Sequence, residues 1–62
     1  MDYRTIVKKL RNKLVLSQQE FAILLGVSFT SVNRWENGKS EPTIKVKRKI
    51  LNLCKENGVG VE

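Results

Sequence analysis

An all-α fold follows from three features of the sequence. Apolar residues recur at helical spacing in every substantial stretch, no segment alternates convincingly at period two, and only a few residues separate one helical stretch from the next. Four helices account for nearly all of the 62 residues, and joints this short favour helices that cross steeply around one small core. The length predicts a single domain, 1–62. A domain of this size buries only ~60% of the surface its unfolded chain exposes, which predicts marginal stability.

Helix 1 is expected from about Tyr3 to Leu14. At 100° per residue, Tyr3, Ile6, Val7, Leu10 and Leu14 form one narrow stripe, with Lys8, Lys9, Arg11 and Lys13 around it. Asp2 suits the N-cap and the positive end of the helix dipole. Helix 2 starts at "SQQE", where Ser17 and Glu20 have capping-box spacing. Phe21, Leu24 and Leu25 are expected inside, and Gly26 stops the helix because glycine takes the left-handed conformation without a Cβ penalty. Helix 3 takes Ser28 as N-cap and "FTSVNRWEN" as body, with Val32 inward, Trp35 and Phe29 flanking it, and Gly38 at the end. Helix 4 follows "KSEP" with Thr43 as N-cap and runs to about Glu56. Val46, Ile50, Leu53 and Cys54 share its inner face, and Lys45, Arg48, Lys49 and Lys55 lie opposite. After Gly58, the segment 58–62 reads as a frayed tail.

Twelve Lys and Arg against six Asp and Glu give a net charge of +6. For so small a domain this favours an anionic partner, nucleic acid or an acidic membrane surface. The plainer reading is solubility, since ~2–8 charges are ordinary for a small soluble domain. One Cys and no His leave no internal disulfide and argue against zinc, and nothing in the chain implies a cofactor. Neither an apolar run of ~18 residues nor a secretory leader is present, so a cytoplasmic protein that does not span a membrane is expected. A membrane-surface role for basic helix 1 is disfavoured, because its apolar stripe is needed for the core. No nucleophile–base constellation can be assembled, which argues against an enzyme.

The joint between helices 2 and 3 carries the functional signal. Two helices meet through about three residues, Gly26 to Ser28, with glycine at the bend. Ala22 supplies the small side chain needed where helices cross closely, and Val32 holds helix 3 against helix 2. This is the helix-turn-helix arrangement, whose second helix can project into a major groove. With Val32 inward, Phe29, Thr30, Asn33 and Arg34 point wholly or partly outward. Asn can pair bidentately with adenine and Arg with guanine, and a Thr methyl or Phe can pack on a thymine methyl. A polar helix face alone is usually just solvated; its combination with Ala22, Gly26, Val32 and the net charge makes the DNA reading the stronger one.

The string "LSQQEFAILLGVSFTSVNRWENGKSEP" resembles the phage-repressor type of helix-turn-helix domain, the XRE or Cro/C1 family. Leu16-Ser17-Gln18, Glu20, Ala22, Leu25-Gly26-Val27-Ser28, Val32 and "RWENGK" through Pro42 carry the likeness, which covers about Leu10 to Leu53. It implies a compact lambda-repressor-like bundle with its helix-turn-helix core at 17–38. It implies that Gln18 touches a phosphate and braces the first base reader, and that Phe29, Thr30, Asn33 and Arg34 face base edges. It places Asn37, Gly38 and Lys39 in a loop against the sugar–phosphate backbone, with Ser17, Ser31 and Lys45 as weaker phosphate candidates. Arg11 and Glu36 match a partly buried ion pair. Helix N-termini suit phosphates on physical grounds, and phosphate contacts fix the register in which bases are read. Ser17 and Ser28 are caps first. Trp35 is core, since no second aromatic is placed to form a stacking surface. On helix 4 only the first turn approaches DNA; the rest of "KVKRK" is a solvated face, and Cys54 is a small core residue.

Three positions and the ending depart from the family pattern. Val15 stands where Gly usually closes helix 1, and a β-branched residue resists the left-handed conformation, which argues for a different helix end. Ile23 occupies a position that is usually polar, and Phe29 one that commonly holds Gln, Arg or Ser. Many relatives have a fifth helix that pairs two copies, whereas only "GVGVE" remains here. The resemblance implies a prokaryotic or phage-encoded regulator that binds double-stranded DNA, a repressor by family habit, with a two-fold homodimer on a palindromic operator as the usual assembly; weak binding as a monomer, pairing only on DNA and pairing through helix 4 stay open beside it. The alternative is an antitoxin-like or adaptor module with a protein partner that also binds DNA, with Ile23 and helix 4 as contact surfaces.

Overall fold

Four α-helices follow one another in the computed structural model, which describes residues 2–61: α1 (Tyr3–Lys13), α2 (Gln18–Leu25), α3 (Phe29–Glu36) and α4 (Ile44–Glu56). There is no strand among the described residues. Helix α3 packs against α1 and α2, and α4 closes over the same two helices. The core between them holds Ile6, Val7 and Leu10 of α1, Phe21, Ala22 and Leu25 of α2, Val32 and Trp35 of α3, and Ile50 and Cys54 of α4. Tyr3 is buried as well. Leu14, Leu16, Val27, Val46 and Leu53 pack against the rim. In the segment expected to fray, Val59 and Val61 also pack against the core; Glu62 lies outside the described residues.

Each helix starts at the side-chain cap its sequence announces. Asp2 accepts from the amide of Arg4, Ser17 from Glu20 and Ser28 from Ser31, each at 3.1 Å, and Thr43 accepts from Val46 at 3.5 Å. Glu20 reaches back to the Ser17 amide at 2.9 Å, completing the capping box. These bonds satisfy donors that the first helical turn would otherwise leave open.

All four helices also end alike, in a left-handed residue: Val15 (φ 57°), Gly26 (74°), Gly38 (72°) and Gly58 (69°). The amide of the following residue then bonds back to the last helical turn. Leu16 donates to the Arg11 carbonyl (3.1 Å), Val27 to Ala22 (2.9 Å), Lys39 to Arg34 (2.9 Å) and Val59 to Cys54 (2.8 Å). Three of these ends use glycine, as their geometry favours. The first uses valine, so the expectation of a different ending for α1 fails. The cap bonds and the burial of Leu16 hold Val15 in the left-handed region, while its side chain is 86% exposed.

Leu24 is a second correction. Expected inside, it is 50% exposed. Phe21, Ala22 and Leu25 form the buried arc of α2. Leu24, roughly 100° from the centre of that arc, is left on its margin. Lys49, expected on the solvated side of α4, is exposed but donates to the Leu25 carbonyl at 3.3 Å.

The strained cap gives a direct expectation. Val15→Gly removes a left-handed β-branched residue costing ~1–2 kcal/mol, offset by ~0.5–1 kcal/mol of added unfolded-chain entropy. The thermal unfolding midpoint should rise by several degrees, about 4–8 °C per kcal/mol at this size. A midpoint lowered by the glycine entropy loss alone would show that the cap is not strained.

Candidate nucleic-acid interface

The candidate interface is organised around Glu36, the last residue of α3, which is only 4% exposed. Arg11 of α1 grips its carboxylate with a fork: Nε donates to Oε2 at 2.7 Å and Nη2 to Oε1 at 3.0 Å. Arg11 Nη1 also donates to the Leu16 carbonyl at 3.0 Å, tying the α1–α2 connection to the same guanidinium. Burial pushes the Glu36 carboxyl pKa up. The hydrogen bonds from Arg11 and Gln18, with the charges of Arg11 and Lys8, outweigh it and hold the group below its ordinary range. Glu36 in turn raises the pKa of Arg11.

From this ion pair a chain of amides runs to the outer face. Gln18 Nε2 donates to Glu36 Oε1 at 3.1 Å. A carboxylate can only accept, so the amide nitrogen of Gln18 must face it, and its oxygen faces the other way. That oxygen accepts from Asn33 Nδ2 at 3.2 Å, and Asn33 Oδ1 accepts from Asn37 Nδ2 at 3.1 Å. Asn37 Nδ2 also donates to the Asn33 carbonyl at 2.8 Å. The orientation of each amide is therefore set by the one before it, starting from the charge on Glu36.

The bracing expected of Gln18 lands on a different residue. Phe29, the first outward position of α3, has no side-chain polar atom, so Gln18 cannot hydrogen-bond it. Asn33 lies one helical turn further along the same face and takes the bond. The 29/33 spacing was a signal already present in the sequence.

Phe29, Thr30 and Arg34 are exposed, and Asn33 is half-buried. Beside them, the starts of α2 and α3 each retain two amides outside the cap bonds, Gln18 and Gln19, and Phe29 and Thr30. Glu20 sits at the first of these starts, its carboxyl held below its ordinary pKa range first by the Ser17 amide. Ser17 is exposed and spends its hydroxyl oxygen on capping. Ser31 is half-buried, its Oγ 3.0 Å from that of Ser28. In the loop after α3, the amide of Gly38 donates to the Trp35 carbonyl (3.2 Å) and that of Lys39 to Arg34. These two amides are consumed by the helix end, leaving the Lys39 ammonium as the outward donor there. Lys45, in the first turn of α4, is exposed. Arg4, for which the sequence announces no role, lays its guanidinium against Gly38.

A family model described as helix-turn-helix matches residues 7–58. The chain belongs to the Cro/C1-type helix-turn-helix family. The four-helix arrangement is the lambda-repressor-like bundle of that family, and this Cro/C1-type protein is a DNA-binding helix-turn-helix regulator. The family is one of DNA-binding domains rather than enzymes. No curated protein and no solved structure matches the chain. No helix among the described residues is long and apolar enough to cross a membrane.

Acid should loosen the scaffold through Glu36. Its folded-state pKa is lowered, so its contribution is fully present above the unfolded value of about 4.3 and is lost as pH falls through the lower folded value. Asp2 and Glu20, also lowered, act in the same direction. Glu36→Gln leaves the Arg11 guanidinium part-buried without a counter-charge and should cost about 3 kcal/mol at neutral pH. Thermal midpoints from pH 7 to 3 test this: the wild type should lose more on acidification than Glu36→Gln. Parallel curves would remove Glu36 from the account.

Proposed function

We propose that this protein is a sequence-specific regulator, acting as a repressor in the cytoplasm, that inserts α3 into the major groove of double-stranded DNA. The observation that carries this reading is the amide chain from Glu36 through Gln18 to Asn33, which orients a side chain on the outer face of the second helix of a helix-turn-helix. Asn33 still has one Nδ2 hydrogen and one Oδ1 lone pair uncommitted, the donor and acceptor that an adenine edge requires. Arg34 suits guanine, and Phe29 and Thr30 suit thymine methyls. The open amides at the starts of α2 and α3, with Gln18, Lys39 and Lys45, would hold the backbone; Ser17, Ser31, Asn37 and Gly38 act there mainly by shaping the caps.

Selection of bound duplexes from a random pool at near-physiological salt tests this directly. An enriched motif is expected, and for a homodimer on a palindrome its half-sites lie about 34–36 Å apart. Against that motif, Arg34→Ala should lose ~1–3 kcal/mol of discrimination at one base pair with little change in stability. Asn33→Ala should lose discrimination at another position and also lower the thermal midpoint, because it unties Gln18. Equal losses on every duplex would refute the base-reading roles.

A second reading, a partner-binding module of the antitoxin or adaptor kind that also binds DNA, is favoured by one observation. Ile23 and Leu24 leave an apolar edge on α2, and Leu24 borders a shallow groove with Leu53, between Lys49 and Glu56 of α4. A stoichiometric partner recovered from native lysate and lost with Leu24→Asp would support it; no such partner would count against it.

A further inference from the structure

Helix α1 carries a cation that the base-reading account leaves idle. Arg4, in its first turn, folds across Gly38 of the loop after α3. A Cβ built on Gly38 would come within 3.3 Å of Arg4 Nη1 and 3.6 Å of its Cδ. Gly38 thus meets two demands, a φ of 72° and a bare surface on which a guanidinium can lie.

Among the described residues, that guanidinium makes no hydrogen bond and no ion pair. Two acids border the same open depression, Asp2 and Glu41; Asp2 feels the Arg4 charge only as a minor influence, and the oxygens of both accept from other donors than its guanidinium. Asp2 caps α1 and accepts from the Thr5 hydroxyl at 2.9 Å; Glu41 is held by Lys47 at 2.9 Å. Arg4 and Lys39 remain as the unpaired charges on this rim.

The position has a meaning for groove binding. A helix with its side chains is ~10–12 Å across and a major groove ~12 Å wide, so loops at the ends of a docked helix face the phosphate rims. The loop at 37–39 is such an end of α3. Its Gly38 and Lys39 amides are already spent, so binding of phosphate there falls to side chains.

We propose that Arg4 is a DNA-phosphate contact, delivered from α1 onto the rim beside Lys39 by its packing on Gly38; this rests on the groove-binding function above. The guanidinium fork matches a phosphate bidentately, and holding it on the glycine reduces the freedom lost on binding. Helix α1 then belongs to the footprint as well as to the core.

The test uses a mixed-sequence duplex of about 20 base pairs, with affinity followed from ~50 to ~200 mM salt. For Arg4→Gln the slope of log affinity against log salt should be shallower by ~0.9, so that the wild-type advantage shrinks about threefold across that range. Arg4→Lys keeps the charge and should keep the slope, and Lys55→Gln, on the outer face of α4, should behave as wild type. Both Arg4 variants disturb the packing on Gly38, so an effect through the loop alone would weaken both without changing either slope, and would overturn the proposal. An unchanged slope in Arg4→Gln, with the wild type still bound, would overturn it too. A wild-type protein that binds no duplex at all would instead overturn the proposed function.

Discussion

The fork between Arg11 and Glu36 is the contact on which the rest of the arrangement depends. It joins the first helix to the end of the third, and through the Leu16 carbonyl it fixes the connection into the second. A carboxylate this deeply buried is tolerable only because its oxygens are occupied by charged and amide donors. Its negative charge then acts outward. By accepting only, it turns Gln18 so that an amide oxygen meets Asn33, and Asn33 so that its oxygen meets Asn37. A polar chain of one fixed direction is the result, beginning in the core and ending on the surface.

Around this contact, local closures at the helix ends supplement the apolar core that all four helices share. Helices of eight to thirteen residues are marginal alone in water, since nucleation is costly. Each is closed at the start by an Asp, Ser or Thr side chain and at the end by a left-handed residue. The caps satisfy groups that a small core could not cover. The apolar contacts supply the larger share of the stabilisation, and among them Ala22 and Val32 are buried on the two helices that flank the α2–α3 joint.

Most of this was legible in the sequence because caps and stripes are local signals. Ser17–Glu20, Ser28, Thr43 and three glycines mark helix ends within four residues of themselves. The periodic apolar residues of α1 and α4 likewise name their own inner faces. What could not be read locally was decided by neighbours. Leu24 lies on the margin because Ala22 completes the buried arc with Phe21 and Leu25, which leaves Leu24 about 100° from its centre. Val15 is left-handed because bonds on either side outweigh its own preference. The acceptor for Asn33 comes from a helix fifteen residues away, and the placement of Arg4 depends on a glycine brought near only by folding.

The amide chain divides the outer face of α3 into two kinds of position. Among the described residues, the side chains of Phe29, Thr30 and Arg34 hydrogen-bond nothing in the protein, whereas Asn33 is wired to Glu36. Thr30 and Arg34 can therefore be rewritten by drift or by a designer with little regard for the scaffold, and Phe29, 46% exposed, at the loss of the apolar surface it covers. The fourth, Asn33, is inherited with the scaffold. If α3 reads bases as proposed, a lineage built on this chain would diversify its targets around one fixed letter, and a library aimed at new targets should randomise 29, 30 and 34 while treating 18, 33 and 36 as a single unit.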